Sequence, residues 1–348
     1  MSPRALVTGG AGFIGSHLAE DLLATGWRVE VLDDLSTGRR RNIEHLEENN
    51  CFSFVHGSAT DTATLARLIP RADVVFHMAA AVGVKLIVDR PVQTISTNIK
   101  ATELVLELAA RHGAKVLVAS TSEVYGKLDT AKFNESDDLV LGPTHKSRWC
   151  YAASKIIDEH LALAYARQTG LPVTVMRFFN TIGPRQTGQY GMVVPRFVRQ
   201  AIAGEPITVY GDGSQRRSFT WVGDAVHAMV SLIQHPGSAG EVFNVGHTKD
   251  ISIGELAQLV KKLTHSRSDI VHVPFDAAYE SAGFEDMARR LPDISKLRDL
   301  IGYRPTLDLP QMLEAIIKQQ QVELGGDVRH RMLEHLMQGA PRLTPQPS

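Results

Sequence analysis

Cysteine is scarce in this chain. Only Cys51 and Cys150 occur in 348 residues, too few for a disulfide framework or a cysteine-ligated zinc site. Net charge is scarce too: 37 lysines and arginines against 38 aspartates and glutamates leave -1, a balance that offers nothing to nucleic acid or another polyanion. No apolar run reaches the roughly 18 residues that mark a membrane span, and no internal repeat is evident. A strand pattern begins at Arg4–Thr8 with no signal-like segment before it. The expectation is a cytoplasmic globular protein with no metal centre and no membrane or nucleic-acid partner. A 43% hydrophobic and 22% charged composition is ordinary for such a protein.

What the chain does have is a regular alternation. Short apolar segments at Arg4–Thr8, Arg28–Asp33, Phe52–His56, Asp73–His77, Lys115–Ser120 and Val173–Phe178 read as buried strands. Helical patterns fall between them at Phe13–Thr25, Arg39–Glu48, Thr62–Leu68, Pro91–His112 and Tyr151–Gln168. Strand–helix alternation predicts an α/β fold, a Rossmann-type doubly wound parallel sheet. After Phe178 the rhythm breaks. Asn180–Gly191 reads as a loop, Pro195–Ala203 as a helix and Ile207–Tyr210 as a strand. A helix at Val222–Gln234 then precedes Phe243–Val245, which returns to the sheet. Ile253–Leu263, Arg289–Gly302 and Leu309–Leu324 read as the last helices, with a frayed tail from Gly325. The expected organisation is a dinucleotide-binding domain of residues 1–178 plus about 220–250. A smaller, discontinuous C-terminal substrate-binding domain takes about 179–219 plus 251–324, and 325–348 form the tail.

Three motifs carry chemistry. Gly9, Gly12 and Gly15 fall between the first strand and the first helix with the spacing G-x-x-G-x-x-G. Glycines there let a pyrophosphate approach the main chain, and the helix N-terminus supplies N–H donors. Asp33 closes the second strand, where a carboxylate accepts hydrogen bonds from ribose hydroxyls and repels a 2′-phosphate. That favours NAD over NADP; Arg39, Arg40 and Arg41 are the counter-evidence unless they lie on a solvated face.

The second motif is Tyr151-x-x-x-Lys155, which puts both side chains on one helix face. A neighbouring ammonium would stabilise a phenolate, so Tyr151 could take a proton from a sugar hydroxyl while hydride leaves the same carbon. Lys155 could also hold the nicotinamide ribose. The third motif, Ser120-Thr121-Ser122-Glu123-Val124-Tyr125-Gly126, follows the fifth strand, on the side where ligands bind in open α/β sheets. Thr121 can hydrogen-bond a substrate oxygen, and Glu123 places an acid beside it.

With these motifs the chain resembles an extended short-chain dehydrogenase/reductase of the nucleotide-sugar epimerase/dehydratase family, from Arg4 to about Leu324. Supporting stretches are His77-Met78-Ala79-Ala80, Asn98, Arg177-Phe178-Phe179-Asn180, Gly183-Pro184-Arg185 and Gln215-Arg216-Arg217-Ser218-Phe219. The resemblance implies NAD held by Gly9, Gly12, Phe13, Ile14, Gly15, Asp33, Ser36, Gly38, Asn98, Ser120, Tyr151 and Lys155. It implies a nucleotide sugar, UDP-linked, held by Thr121, Asn180, Arg185, Arg217 and Arg290, and a homodimer built from Pro91–His112 and Tyr151–Gln168. One departure is Ser58, where the family usually has an Asp for the adenine.

Within the family, Ser120–Gly126, Gly142-Pro143 and Lys146–Tyr151 resemble the UDP-glucuronate decarboxylases, including the decarboxylase domain of a bifunctional polymyxin-resistance enzyme. Arg290-Leu291-Pro292-Asp293-Ile294 resembles a stretch of the UDP-xylose synthases. This implies oxidation at C4 and loss of the C6 carboxylate, with Thr121, Ser122, Glu123, Tyr151 and Lys155 as catalytic residues and Arg290 near the carboxylate. A 4-epimerase shares the oxidation but not the need for Glu123. A 4,6-dehydratase would use Glu123 as its C5 base. A sensor or scaffold that binds NAD without turnover is the non-enzymatic alternative. If Asp33 reads the ribose hydroxyls, NAD binds much more tightly than NADP and Asp33→Ala narrows the gap. Equal affinities in a titration of the unmutated protein would refute that role.

Overall fold

A computed structural model describes residues 2–81, 90–188, 192–274, 287 and 289–338, with side chains up to residue 324. Six strands, β1 (Arg4–Thr8), β2 (Arg28–Asp33), β3 (Phe52–His56), β4 (Val74–His77), β5 (Lys115–Thr121) and β6 (Val173–Phe178), join Glu241–Val245 in one sheet. The spatial order is Glu241–Val245, β6, β5, β4, β1, β2, β3, and every pairing is parallel. The chain runs outward from β1 to β3, then restarts on the other side of β1 at β4. That reversal opens a crevice beyond the carboxyl ends of β1 and β4, where Thr8 pairs with both Leu32 and His77.

Side-chain alternation along each strand builds the two faces. On β1, Ala5 and Val7 pack with Leu18 and Leu22 of the helix Phe13–Ala24 and with Met229 and Leu232 of the helix Val222–Gln234. Leu6 points the other way, into a cluster with Leu65, Val105, Leu106 and Ala162. That second layer comes from the helices Thr62–Leu68, Pro91–His112 and Arg148–Thr169. A third cluster gathers Val194, Phe197, Ile207, Leu256, Val260, Leu313 and Ile316. Its residues come from the helices Val193–Ala203 and Ile253–Leu263, the strand Ile207–Tyr210 and the start of the helix Leu309–Gln338. Among the described residues, no helix is long and apolar enough to cross a membrane.

Several expected elements differ. Arg39–Glu48 is no helix but two single turns, Arg40–Asn42 and Glu44–Leu46. The Arg39 N–H and the Asn42 side-chain amide both donate to the Ala11 carbonyl, at 2.9 Å each, so the segment is tied to the glycine turn instead of to its own helical ladder. Arg289–Gly302 is also not one helix. Arg289–Arg290 pairs in parallel with Arg216–Arg217, and Pro292, unable to donate within a helix, separates this strand from the helix Ser295–Ile301. The loop expected at 180–191 contains Thr181–Ile182, paired with Thr220–Trp221; its residues 189–191 lie outside the described ones. The helix Tyr151–Gln168 starts earlier, at Arg148, and ends at Thr169. The final helix runs to Gln338, so the tail expected from Gly325 is helical backbone that far.

Candidate active site

The crevice at the carboxyl ends of the strands opens into a cavity of about 800 Å³, within the roughly 300–1,000 Å³ usual for small-molecule sites. The glycine turn forms one end. Gly9 has φ of 70°, and a Cβ there would lie 2.8 Å from the Ala79 backbone nitrogen. A Cβ on Gly15 would lie 2.4 Å from the Gly9 carbonyl oxygen. Side chains are therefore excluded, and the turn presents bare backbone. The following helix is capped by Gly12, which offers no side-chain acceptor to its first N–H groups, leaving them for an anion. Asp33 is buried beside this turn, accepting from the Ala11 N–H at 2.9 Å and the Leu35 N–H at 2.8 Å. Burial pushes its carboxyl above the usual range, against the pull of those two N–H groups. These features fit a dinucleotide: Gly9, Gly12, Phe13, Ile14, Gly15, Asp33 and Ser36 all line the cavity.

Three residues expected at the cofactor do not line it. Gly38 sits behind Asp33, where a Cβ would lie 2.7 Å from a carboxylate oxygen. Asn98 accepts from the Ala81 N–H at 2.8 Å and donates to Ser154 at 3.1 Å, tying the strand-end loop to a helix. Lys155 is buried in an ion pair with Asp158 at 2.7 Å. Ser120 lines the cavity, with its hydroxyl donating to Glu159 at 2.5 Å. Among the residues expected at the substrate, Thr121, Asn180, Arg217 and Arg290 line the cavity, but Arg185 does not. Its guanidinium turns to the first helix, to Glu20 at 2.5 Å and Ser16 at 3.3 Å.

Tyr151 lies in the cavity wall, hydrogen-bonded to Thr121. The expectation that Lys155 lowers its pKa is not met in this arrangement. Burial first, then the charges of Glu123 and Asp158, hold the phenol well above its ordinary value. Asp158, whose own carboxyl burial pushes up, occupies the ammonium that would have acted on the phenol.

Glu123 is the electrostatic centre. Its carboxylate meets Arg290 at 2.5 Å and Arg148 at 3.2 Å. Burial would raise its pKa, but Arg290, Arg148 and Arg217 outweigh it and bring the value to about 2. Glu123, Arg148, Arg217 and Arg290 all line the cavity, beside Ser122. Among the described residues, three guanidiniums act on this one carboxylate. Arg148 escaped sequence reasoning, although it lies three residues before Tyr151 on the same helix, a spacing that shares a face. The far wall was missed as well: Arg196 lies 3.8 Å over the Tyr210 ring, beside Gln215 and the buried Thr181. The Thr181 hydroxyl has no hydrogen-bond partner among the described residues.

Residues 6–316 match the family described as GDP-mannose 4,6 dehydratase. The chain belongs to that family of extended short-chain dehydrogenase/reductases. Its members are NAD-dependent nucleotide-sugar enzymes, which agrees with the dinucleotide fit of the turn. A UDP-N-acetyl-alpha-D-glucosaminuronate decarboxylase of Bacillus cytotoxicus is 44% identical over 91% of this chain and 98% of that protein. UDP-glucuronic acid decarboxylase 1 of Danio rerio is 38% identical over 92% of this chain and 73% of its own length. Among solved structures, a UDP-glucuronic acid 4-epimerase from Bacillus cereus, in complex with UDP-glucuronic acid and NAD, superposes with a TM-score of 0.82 at 29% identity. It covers 92% of this chain and 99% of that one.

The depressed pKa of Glu123 makes a prediction about stability. A carboxylate shifted from 4.5 to about 2 on folding contributes stability that is fully present above pH 4.5 and lost as pH falls towards 2. Denaturation curves of the wild type and Glu123→Gln should therefore differ most near neutral pH, with the wild type more stable, and converge across that window. A gap that widens on acidification would contradict the arginine clamp.

Proposed function

We propose that this enzyme oxidises C4 of a UDP-linked hexuronate and releases the C6 carboxylate as carbon dioxide. The observation that carries this reading is the cluster of arginines around Glu123 in the cavity wall. A neutral hexose offers that wall only hydroxyl acceptors, whereas a C6 carboxylate makes charge-assisted, forked hydrogen bonds to arginine. Arg148 and Arg290 form the acid-recognising wall in this reading, with Ser122 beside it. The third hydrophobic cluster and its flanking strands act as the unit that holds the nucleotide, Asn180 and Arg217 serving the diphosphate.

The glycine turn and Asp33 would hold NAD, which would supply the hydride acceptor for the sugar. Tyr151, hydrogen-bonded to Thr121, takes the proton from the C4 hydroxyl in its minor phenolate form, which the positive charge of bound NAD would favour, and is protonated by that transfer. The resulting C4 ketone is β to the C6 carboxylate. When the C5–C6 bond breaks, its electron pair moves towards the C4 oxygen and carbon dioxide leaves. A phenol held protonated suits this step, because Tyr151 and Thr121 then donate hydrogen bonds to an oxygen gaining negative charge. A water molecule then donates a proton to C5. Glu123, ionised and held at the C6 end, discourages a second anion in any pose but the one its arginines neutralise.

The substrate is UDP-glucuronate or its 2-acetamido analogue, the two acids named for the relatives. A 4-epimerase acting on UDP-glucuronate has a specific point in its favour. The superposing epimerase also takes an acidic sugar, so the same arginines would serve it. We also propose a homodimer. The helices Pro91–His112 and Arg148–Thr169 bury Val105, Leu106 and Ala162 inside the subunit, yet Val92, Ile95 and Ile157 remain exposed. Such a face suits a second copy of itself.

Carbon-13 label at C6 of both uronates should be recovered as carbon dioxide, with a UDP-pentose or UDP-4-ketopentose mass remaining. Tyr151→Phe should lower turnover by roughly 10²–10⁴-fold, as for loss of a general base. Glu123→Gln should slow carbon dioxide release while sparing C4 oxidation, and Arg290→Ala should chiefly raise the KM for the uronate. Interconversion of C4 epimers with all carbons retained would replace this reading with the epimerase. Light scattering at micromolar concentration should give a dimer mass; a monomer would refute the helix-face proposal.

A further inference from the structure

Glu123 and Arg290 meet at 2.5 Å although they come from distant parts of the chain. Glu123 rides on the turn Ser122–Tyr125 after β5, and Arg290 on the two-residue strand Arg289–Arg290. So short a strand cannot fix its own position, and its only sheet partner among the described residues is Arg216–Ser218. Something else must register the two segments.

The fully buried Asn244, in the edge strand of the main sheet, touches both. Its Oδ1 accepts from the Tyr125 hydroxyl at 2.8 Å, on the turn that carries Glu123. Its Nδ2 donates to the Phe133 carbonyl at 2.9 Å and the Asp293 carbonyl at 3.3 Å. Phe133 is in turn laced to the Arg290 segment: its N–H donates to the Leu291 carbonyl and its carbonyl accepts from the Asp293 N–H, each at 2.8 Å. The Phe133 ring stacks on Tyr125 with centroids 4.6 Å apart. Two residues beyond Asn244, Gly246 admits Pro292 so closely that a Cβ would lie 2.3 Å from the proline Cγ. Tyr125 is fixed from the other side by Arg177, at 2.9 Å, itself paired with Glu159. One amide thus joins the end of a rigid sheet to both halves of the acid-recognising wall.

We infer that Asn244 is a positioning residue that sets Arg290 against Glu123 and so acts on the hexuronate through Arg290. This rests on the functional reading above. An amide is suited to the task because one end must accept from a hydroxyl while the other donates to two carbonyls. Aspartate would set an acceptor against two carbonyls, and leucine would remove every bond at similar volume.

The test is a double-mutant cycle on uronate turnover in the full-length enzyme with NAD. Asn244→Leu should lower kcat/KM for the uronate by about tenfold or more, mainly through KM, as for a displaced binding group. In an Arg290→Ala background the same change should add little, because the residue it positions is gone. Tyr125→Phe deletes a single hydroxyl and keeps the ring stack, so it should act in the same direction more weakly. It carries the test if Asn244→Leu does not fold. Fold losses that multiply for both variants, or a fall in kcat with unchanged KM, would overturn the positioning role. A wild type that releases no carbon dioxide from either uronate overturns the functional reading and this assignment with it. A wild type that does release it, with multiplying losses, overturns only the assignment of Asn244.

Discussion

A carboxylate taken out of water must be repaid by well-placed partners, or it protonates. Glu123 is such a group, and its arginines keep it ionised at the floor of the cavity. Much of the architecture can be read as the means of assembling that one cluster. β5 delivers Glu123, the first turn of Arg148–Thr169 delivers Arg148, and two short paired strands bring Arg217 and Arg290 side by side. The same helix that supplies Arg148 supplies Tyr151 one turn later, so the acid-recognising wall and the proton-transfer group share a rigid support. Coupling between them is electrostatic as well. The Glu123 charge is one of the causes that keep the Tyr151 phenol protonated.

The polar network behind the wall is part of the same construction. Ser120, Glu159, Arg177, Tyr125 and Asn244 form a chain of buried partners running from the end of β5 to the edge of the sheet. Burial lifts the Tyr125 phenol to about 12 even against the neighbouring Arg177, so it stays a donor to Asn244 across the physiological range. A fully satisfied network of this kind holds one geometry, because each displaced member strands a partner. That requirement is severe where two guanidiniums must stay within contact distance of one carboxylate.

The parts legible in the sequence are those whose chemistry is local. The glycine spacing, Asp33 at the end of β2 and the strand–helix alternation each follow from a few consecutive residues, and the sheet and the turn have the expected form. Glu123 and Arg290 were linked only by family resemblance; their contact depends on strand pairing far along the chain. Lys155 shows the limit of periodicity. Helical spacing puts it on the face of Tyr151, but Asp158, three residues further on, competes for the ammonium and holds it in the core. Asn98 and Arg185 are engaged with other partners, Ala81 and Ser154 for the one and Glu20 and Ser16 for the other, ties that spacing along the chain does not reveal. Arg39–Glu48 was misread because Asn42 and Arg39 bond to Ala11, a tertiary tie with no helical signature.

The central claim is that the arginines clustered around Glu123 recognise a sugar carboxylate. It can be measured with little turnover by calorimetric titration of the NAD-loaded Tyr151→Phe variant, in which loss of the general base slows consumption of the substrate. UDP-glucuronate should bind at least about tenfold more tightly than UDP-glucose, a difference of roughly 1.4 kcal/mol, and the margin should shrink as salt is raised. Equal affinities, or a preference for the neutral sugar, would contradict the account.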